Sequence, residues 1–255
     1  MKDTKIEWAD STWNPVTGCL HGCPYCYARS IARRFGYIKR PDYDETEIHD
    51  LRESLFNHRE GKGIVAYPFN FAPTFHRYRL DQVFRWKEPR NIFVCSMADL
   101  FGAWVPDSWI EMIFSFCEKA AQHKYMFLTK NPARYLKLSD AGKLPKGMWY
   151  GSTVTKPDEA YMYCSKDWHS FISIEPIMED FGEMKGIRTE WVIVGAETGN
   201  RKDKVVPKKS WIENIAHECE KNGIPLFMKD SLIPIVGEEN MKREFPAGLA
   251  KEEQL

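Results

Sequence analysis

Cys19, Cys23 and Cys26 lie within eight residues, at the spacing CxxxCxxC, in the stretch Gly18-Cys19-Leu20-His21-Gly22-Cys23-Pro24-Tyr25-Cys26-Tyr27-Ala28-Arg29. A thiolate is a soft ligand, and clustered cysteines in an intracellular chain point to a metal site before a disulfide. The number of sulfurs separates two chemistries. A structural zinc wants four protein ligands, which here would add His21 or a distant cysteine. A 4Fe–4S cubane held by three thiolates keeps one iron open for a substrate or cofactor. The loop leads into a helical pattern and not into a second ligand pair, which favours the cluster.

The bulk composition bounds what surrounds this loop. A chain of 255 residues can bury a full core, and one α/β barrel-like domain spanning 1–255 fits that length. Lys and Arg number 36 against 36 Asp and Glu, so no global basic bias announces nucleic acid. Hydrophobic content of 43% with 28% charged residues describes a soluble globular chain. Seven cysteines is an odd number, Met1–Asp10 is polar without an apolar signal-peptide core, and no run approaches a membrane span. The expectation is a cytoplasmic protein with no membrane partner.

The elements that must position the loop read as alternating strands and helices. Residues 1–18 supply one short strand. Tyr27, Ile31 and Phe35 then recur at helical spacing before Gly36, with Arg29, Arg33, Arg34, Lys39 and Arg40 as a solvated basic face. Residues 37–90 break the rhythm as a charged and aromatic insertion, helical over Glu45–Arg59, serving either binding or packing. From Asn91 the order is regular. Strands are expected at 92–95, 125–128, 149–154, 171–174, 191–194 and 225–228, and helices from Pro106, from Asn131-Pro132, over 158–167 and over 210–222. Ser108/Glu111 and Ser210/Glu213 have capping-box spacing, and the tail over 238–255 is expected to be loose. Short continuous apolar strands between amphipathic helices mark a parallel sheet covered by helices. Periodicity alone does not separate a doubly wound sheet from an open barrel.

In such folds ligands collect at the carboxyl ends of the strands. Polar residues follow apolar runs at Cys95-Ser96-Met97-Ala98-Asp99, Thr129-Lys130-Asn131, Ser152-Thr153, Glu175, Gly195-Ala196-Glu197 and Lys229-Asp230. Together they would form a ligand-holding rim, although Asn131 also suits a helix cap. Glu175 is delivered by Ile172-Ser173-Ile174 and either orients a ligand or pairs with a lysine. Cys95 is either a hydrogen donor at the end of its strand or a packing cysteine. Cys117, Cys164 and Cys219 fall on expected helices and read as core.

CxxxCxxC with an aromatic residue before the third cysteine resembles the radical S-adenosylmethionine (SAM) superfamily. The resemblance implies a partial (β/α)6-type open barrel of parallel strands, with the insertion following the first helix. It implies that Cys19, Cys23 and Cys26 hold three irons of a 4Fe–4S cluster and that SAM chelates the fourth. Carried onto this chain, Tyr25 would meet adenine through its backbone, and Ser96, Met97, Ala98 and Asp99 would hold the SAM amino group. Lys130, Ser152 and Thr153 would meet carboxylate or ribose, and Gly195, Ala196 and Glu197 would lie beside adenine or substrate. The superfamily's common Gly-Gly-Glu is absent here.

A closer resemblance covers most of the chain. Phe71-Ala72-Pro73-Thr74-Phe75-His76, Arg79-Leu80-Asp81, Arg85-Trp86-Lys87, Ser96 to Phe101, Leu128-Thr129-Lys130, Ser173 to Pro176 and Trp191 to Gly195 are similar to a phage- and bacteria-borne family of three-cysteine-motif, radical-SAM-like proteins of unsettled function. Lys229 fits that pattern as a catalytic candidate beside Glu175 and Cys95. Ala196, Thr198 and Asp230-Ser231 depart from it. Asn14 to Arg29 also resembles the cluster loop of spore photoproduct lyase-type DNA-repair enzymes. Together these imply one-electron cleavage of SAM, using a flavodoxin- or ferredoxin-type donor, and hydrogen abstraction from a substrate. Basic residues at 29–40, 76–90 and 201–209, with Tyr78, Phe84 and Trp86 nearby in the chain, make a nucleotide or nucleic acid one candidate substrate, with a peptide or small molecule as the alternative. The competing reading is a non-catalytic iron–sulfur or zinc module that binds nucleic acid.

Overall fold

Apolar runs such as Asn91–Val94 and Phe171–Ile174 carry side chains that bury on both faces of a sheet, and the alternating amphipathic segments cover it. The computed structural model describes residues 4–40, 42–57 and 63–250. In chain order its elements are β1 (Ser11–Trp13), β2 (Val16–Thr17), α1 (Tyr27–Phe35), β3 (His49–Leu51), β4 (Phe56–Asn57), β5 (Gly63–Ile64), β6 (Thr74–His76), β7 (Asn91–Val94), α2 (Asp107–Lys119) and β8 (Lys124–Thr129). They continue with α3 (Ala133–Asp140), β9 (Trp149–Thr153), β10 (His169–Ile174), β11 (Val192–Val194), α4 (Lys209–Lys221), β12 (Leu226–Met228) and α5 (Ile233–Val236). Seven parallel strands form the main sheet in the order β1-β7-β8-β9-β10-β11-β12, a partial α/β barrel. The chain divides into two compact units, residues 1–127 and 128–255.

In the first unit β1 pairs with β7 from Ser11↔Ile92 to Trp13↔Val94, and β7 pairs with β8. Phe101, Phe114 and Phe127 meet edge-on or tilted at 5.4–6.2 Å. Burying such side chains stabilises by roughly 1.5–3 kcal/mol each, and Phe101 thereby anchors the segment that carries Asp99. α2 starts after Pro106 with no side-chain cap, so the Ser108/Glu111 box does not form. The insertion adds β6 and β3 to β2 in a three-stranded sheet and contributes the antiparallel pair β4 and β5. Over residues 45–57 the expected helix is replaced by β3 and β4. Pairing of His49–Leu51 with Thr74–His76 satisfies backbone groups that a lone exposed helix would have to close by itself. His58 and Arg59 lie outside the described residues.

In the second unit β10 pairs with β9 and β11, and β11 with β12. Ile212, Ile215 and Cys219 of α4 share one apolar cluster with Val192, Val194, Leu226 and Met228. α4 starts at Lys209 without a side-chain cap, so the Ser210/Glu213 box is also unformed. Residues 158–167 are not helical. Ser152 Oγ accepts the Met162 N–H at 2.9 Å, and the Glu159 carboxylate accepts the Thr155 N–H, which gives the segment loop partners in place of a helical ladder. Cys164 consequently lies half-buried in that loop, while Cys117 and Cys219 are buried as expected. The tail expected to be loose is packed as far as residue 250. Trp191 Nε1 donates to the Glu244 carbonyl at 2.9 Å, Glu244 accepts the Leu226 N–H, and Leu249 is buried.

Candidate metal centre

β2 ends at Thr17, and the next residue makes the turn that starts the cysteine loop. Gly18 has φ +89, and a Cβ there would stand 2.3 Å from the Ala72 carbonyl oxygen, so only glycine fits. The loop is held from two sides. Gly18 N donates to Met97 O at 2.9 Å, and Tyr27 Oη donates to Ser96 O at 2.7 Å. On the other side Cys19 N donates to Phe71 O at 3.2 Å, and Arg29 Nη2 donates to Cys19 O at 3.1 Å. The insertion therefore forms part of the seat of the cysteines.

Cys23-Pro24-Tyr25-Cys26 closes as a turn, with Cys26 N donating to Cys23 O at 3.2 Å. Cys26 then caps α1, its sulfur accepting the Arg29 N–H at 3.3 Å. A helix N-terminus favours negative charge in that position. Burial pushes the Cys19 thiol up to about 12, and the nearby Asp99, Cys26 and Cys23 push the same way against a backbone hydrogen bond at His21. All three cysteines are half-buried free thiols.

The loop after β7 is the partner surface. His21 Nε2 lies 2.7 Å from Asp99 Oδ2, and Asp99 Oδ1 accepts the Phe101 N–H at 3.0 Å. Asn14 Oδ1 accepts from Ser96 Oγ and Met97 N at 3.1 and 3.0 Å. Ser96, Met97, Ala98 and Asp99 are thus brought beside the cysteines, but Ser96 O, Met97 O and Asp99 already take part in holding the loop. Cys95 sits at φ +60, a region costly for a side-chain-bearing residue, and its buried thiol is pushed up to about 12 by desolvation. It stays S–H at neutral pH, the form a hydrogen donor needs. Beneath the loop, buried His76 bridges Thr17 Oγ1 at 2.8 Å and Tyr78 Oη at 3.0 Å.

Among the described residues no three His, Cys, Asp or Glu side chains are gathered as a ready-made site for a metal ion. What the loop offers is a donor set of three unoxidised thiols close enough to influence one another. Beside it stands Trp104, packed edge-on to His21 at 4.9 Å, whose buried Nε1–H has no partner. A cluster that takes one sulfur on each of three irons would use these three thiols, whereas a structural zinc would need a fourth side-chain ligand. The residues fit a three-thiolate cluster by their chemistry.

In the second unit the strand ends assemble a different polar group. Glu175 Oε1 meets Lys229 Nζ at 2.5 Å, and Ser173 Oγ donates to Glu175 Oε2 at 3.2 Å. Gly195, just past the end of β11, lets the Glu175 side chain pass, since a Cβ there would meet Glu175 Cγ at 3.0 Å. Ala196 N donates to Ser231 Oγ at 3.0 Å. Glu197 is turned to a loop role. Arg201 grips it at 2.6 and 2.7 Å and holds its carboxyl below the usual range. Ser152 is likewise occupied by Met162, and Thr153, its neighbour along the strand, faces the opposite side. Lys130 is half-buried just past β8, and Tyr25 stands within the Cys23–Cys26 turn.

The His21–Asp99, Thr17–His76 and Gly18–Ala72 contacts carry no local sequence signal, because each joins residues more than fifty positions apart. Only the positive φ demanded of Gly18 could have been suspected, from its place directly before the first cysteine.

A parallel α/β partial barrel with a clamped three-cysteine loop defines the class of protein. Residues 3–239 match the model of the family described as "Protein of unknown function (DUF5131)", and the chain belongs to that family. No curated protein and no solved structure matches it.

Proposed function

We propose that this protein is a radical SAM-type enzyme in which Cys19, Cys23 and Cys26 hold a 4Fe–4S cluster with one open iron. The observation that carries this reading is the double clamp on a loop offering three free thiols. When bound, cluster and SAM would supply one-electron cleavage of the sulfonium to methionine and a 5′-deoxyadenosyl radical, with the electron coming from a flavodoxin- or ferredoxin-type protein.

The chain's own residues then have assigned tasks. Gly18 and Phe71 fix the loop backbone, and Asp99 with His21 sets its position against the segment after β7. Ser96, Met97 and Ala98 present backbone to the amino end of SAM. Glu175 and Lys229 form a carboxylate–ammonium couple that orients a polar ligand in the second unit, with Lys130, Thr153 and Gly195 as further ligand contacts. Cys95 keeps its proton and is the candidate hydrogen donor. Cytoplasmic location is part of the same reading, since thiols and cluster survive best in a reducing compartment. No helix among the described residues is long and apolar enough to cross a membrane.

The test is anaerobic incubation of the reconstituted full chain with SAM and dithionite. Formation of 5′-deoxyadenosine supports the reading. Binding of SAM with no deoxyadenosine formed overturns the enzyme in favour of a non-catalytic cluster module.

A further inference from the structure

The helix that begins at the third cysteine turns its large apolar side chains outward. Ala28 and Ala32 are buried on its inner side, while Tyr27, Ile31 and Phe35 recur every four residues on the outer side at 51%, 37% and 59% exposure. Tyr37 follows at 48%. Soluble proteins seldom leave such a stripe open without a partner for it.

The stripe is held on fixed backbone. Tyr37 N donates to Tyr67 O at 3.1 Å, and the Asn70 side chain clamps Ile38 by accepting its N–H at 3.2 Å and donating to its carbonyl at 2.9 Å. Gly36 permits this closeness, because a Cβ there would stand 2.3 Å from Asn70 Oδ1. Phe35 and Tyr37 therefore stand on a segment already ordered, which lowers the entropy cost of stacking something on them.

Cations alternate with these rings. Arg33, Arg34, Lys39 and Arg40 are exposed, and the Arg34 guanidinium lies over the Phe35 ring at 5.3 Å. Glu45 binds Arg29 and Arg33 at 3.2 and 3.4 Å, and Asp42, Asp44 and Glu47 stand near it in the chain, so acid collects on the segment after the basic run. Exposed rings interleaved with arginine and lysine are what single strands require. Bases stack on the rings whatever their identity, and phosphates meet the cations. An acidic protein partner would use the charges but would leave the exposed ring faces of Phe35 and Tyr37 without a role.

We propose that the outer face of α1 and its exit binds single-stranded nucleic acid, with bases on Phe35 and Tyr37 and phosphates on Arg33, Arg34, Lys39 and Arg40. Because Cys26 caps the start of α1, a strand lying along it leads to the cysteine loop. This deepens the enzyme reading by supplying its substrate class.

The test is fluorescence anisotropy of the full chain, as purified and after reconstitution, with a labelled oligothymidylate of about 20 nucleotides, its RNA counterpart and a duplex. Binding should favour single strands and weaken with salt. Phe35→Ala and Tyr37→Ala should each weaken it about tenfold, within the range known for base stacking. Arg33→Ala with Arg34→Ala should flatten the log–log salt slope by about 1.4, at roughly 0.7 per phosphate contact. Circular dichroism should be unchanged in all three variants. No binding, equal binding to duplex, or variants that bind like the parent would overturn the proposal. So would Phe35→Ala converting a dimer to a monomer in sedimentation, which would assign the stripe to a second copy. Deoxyadenosine formation without oligonucleotide binding would sink this proposal alone, and binding without deoxyadenosine would sink only the enzyme reading.

Discussion

His21 Nε2 and Asp99 Oδ2 stand 2.7 Å apart although 78 positions separate them in the chain. Their contact joins the loop that carries the cysteines to the loop that follows β7. Asp99 is buried and also accepts the Phe101 N–H, so removing its carboxylate strands two donors at once. Asp99→Ala should cost about 2–3 kcal/mol in urea unfolding and lower the iron bound on reconstitution. Asp99→Asn, which keeps an acceptor for Phe101, should recover part of both. An Asp99→Ala protein of parental stability and iron content would refute this role.

Gly18→Ala should be more damaging than its size suggests. The positive φ disfavours any side chain by about 1–2 kcal/mol, and the added carbon meets the Ala72 carbonyl at 2.3 Å, where backbone has to move. We expect a total loss of roughly 3 kcal/mol or more and failure to retain iron. Gly22→Ala is the control. Its φ is also positive, +69, but nothing lies within 4 Å of the new carbon, so it should cost only the conformational share. Equal thermal midpoints for the two variants would contradict the clamp.

His76 makes the seat of the loop sensitive to acid. Burial first, and Arg79 second, hold its pKa well below the ordinary 6.5, so it is neutral in the folded chain. Below pH 6.5 the unfolded chain binds a proton that the folded chain refuses. Stability is therefore full above that pH and falls as the pH drops beneath it, by up to about 1.4 kcal/mol per pH unit for one such group. His76→Gln should lower stability at pH 7.5 but flatten its decline between pH 6.5 and 5.5, as read from urea midpoints. An unchanged decline would place the acid sensitivity elsewhere, His49 and His123 being the other histidines whose pKa values are lowered.

The strand–helix alternation was legible because buried parallel strands write themselves as apolar runs, and Asn91–Val94, Lys124–Thr129 and His169–Ile174 all appear where those runs stand. The insertion was not legible. Its Glu45–Arg59 stretch has helical spacing, but at His49–Leu51 cross-strand pairing with Thr74–His76 decides the form, and propensity yields to tertiary partners. The α1 stripe was read correctly for period, but the sequence does not say which face turns inward. Ala28 and Ala32, not the larger residues, are the ones buried. At the site the cysteines announced themselves, while Asp99 showed as a polar residue past a strand and, by resemblance, as a contact to SAM, not as the partner of His21. Its pairing with His21 depends on how β1 and β7 lie side by side.

Glu175 and Lys229 separate structural from ligand-binding roles. Each side chain keeps a quarter or so of its surface, 25% and 22%, so solvent screens the pair and its net worth to stability is about 1 kcal/mol or less. Lys229→Met and Glu175→Gln should unfold within about 1 kcal/mol of the parent. Each should nevertheless weaken SAM or substrate binding about tenfold or more, the loss expected when a charged hydrogen bond to a ligand goes. Both variants binding SAM and turning over like the parent would make the couple a structural ion pair.

The three-sulfur site is tested most directly by electron paramagnetic resonance of the reconstituted, dithionite-reduced full chain before and after SAM is added. The account predicts about four irons per chain, a reduced-cluster signal that changes shape when SAM reaches the open iron, and loss of that signal in Cys19→Ser, Cys23→Ser and Cys26→Ser. A single tetrahedral zinc with a fourth side-chain donor, or a cluster signal indifferent to SAM, would contradict it.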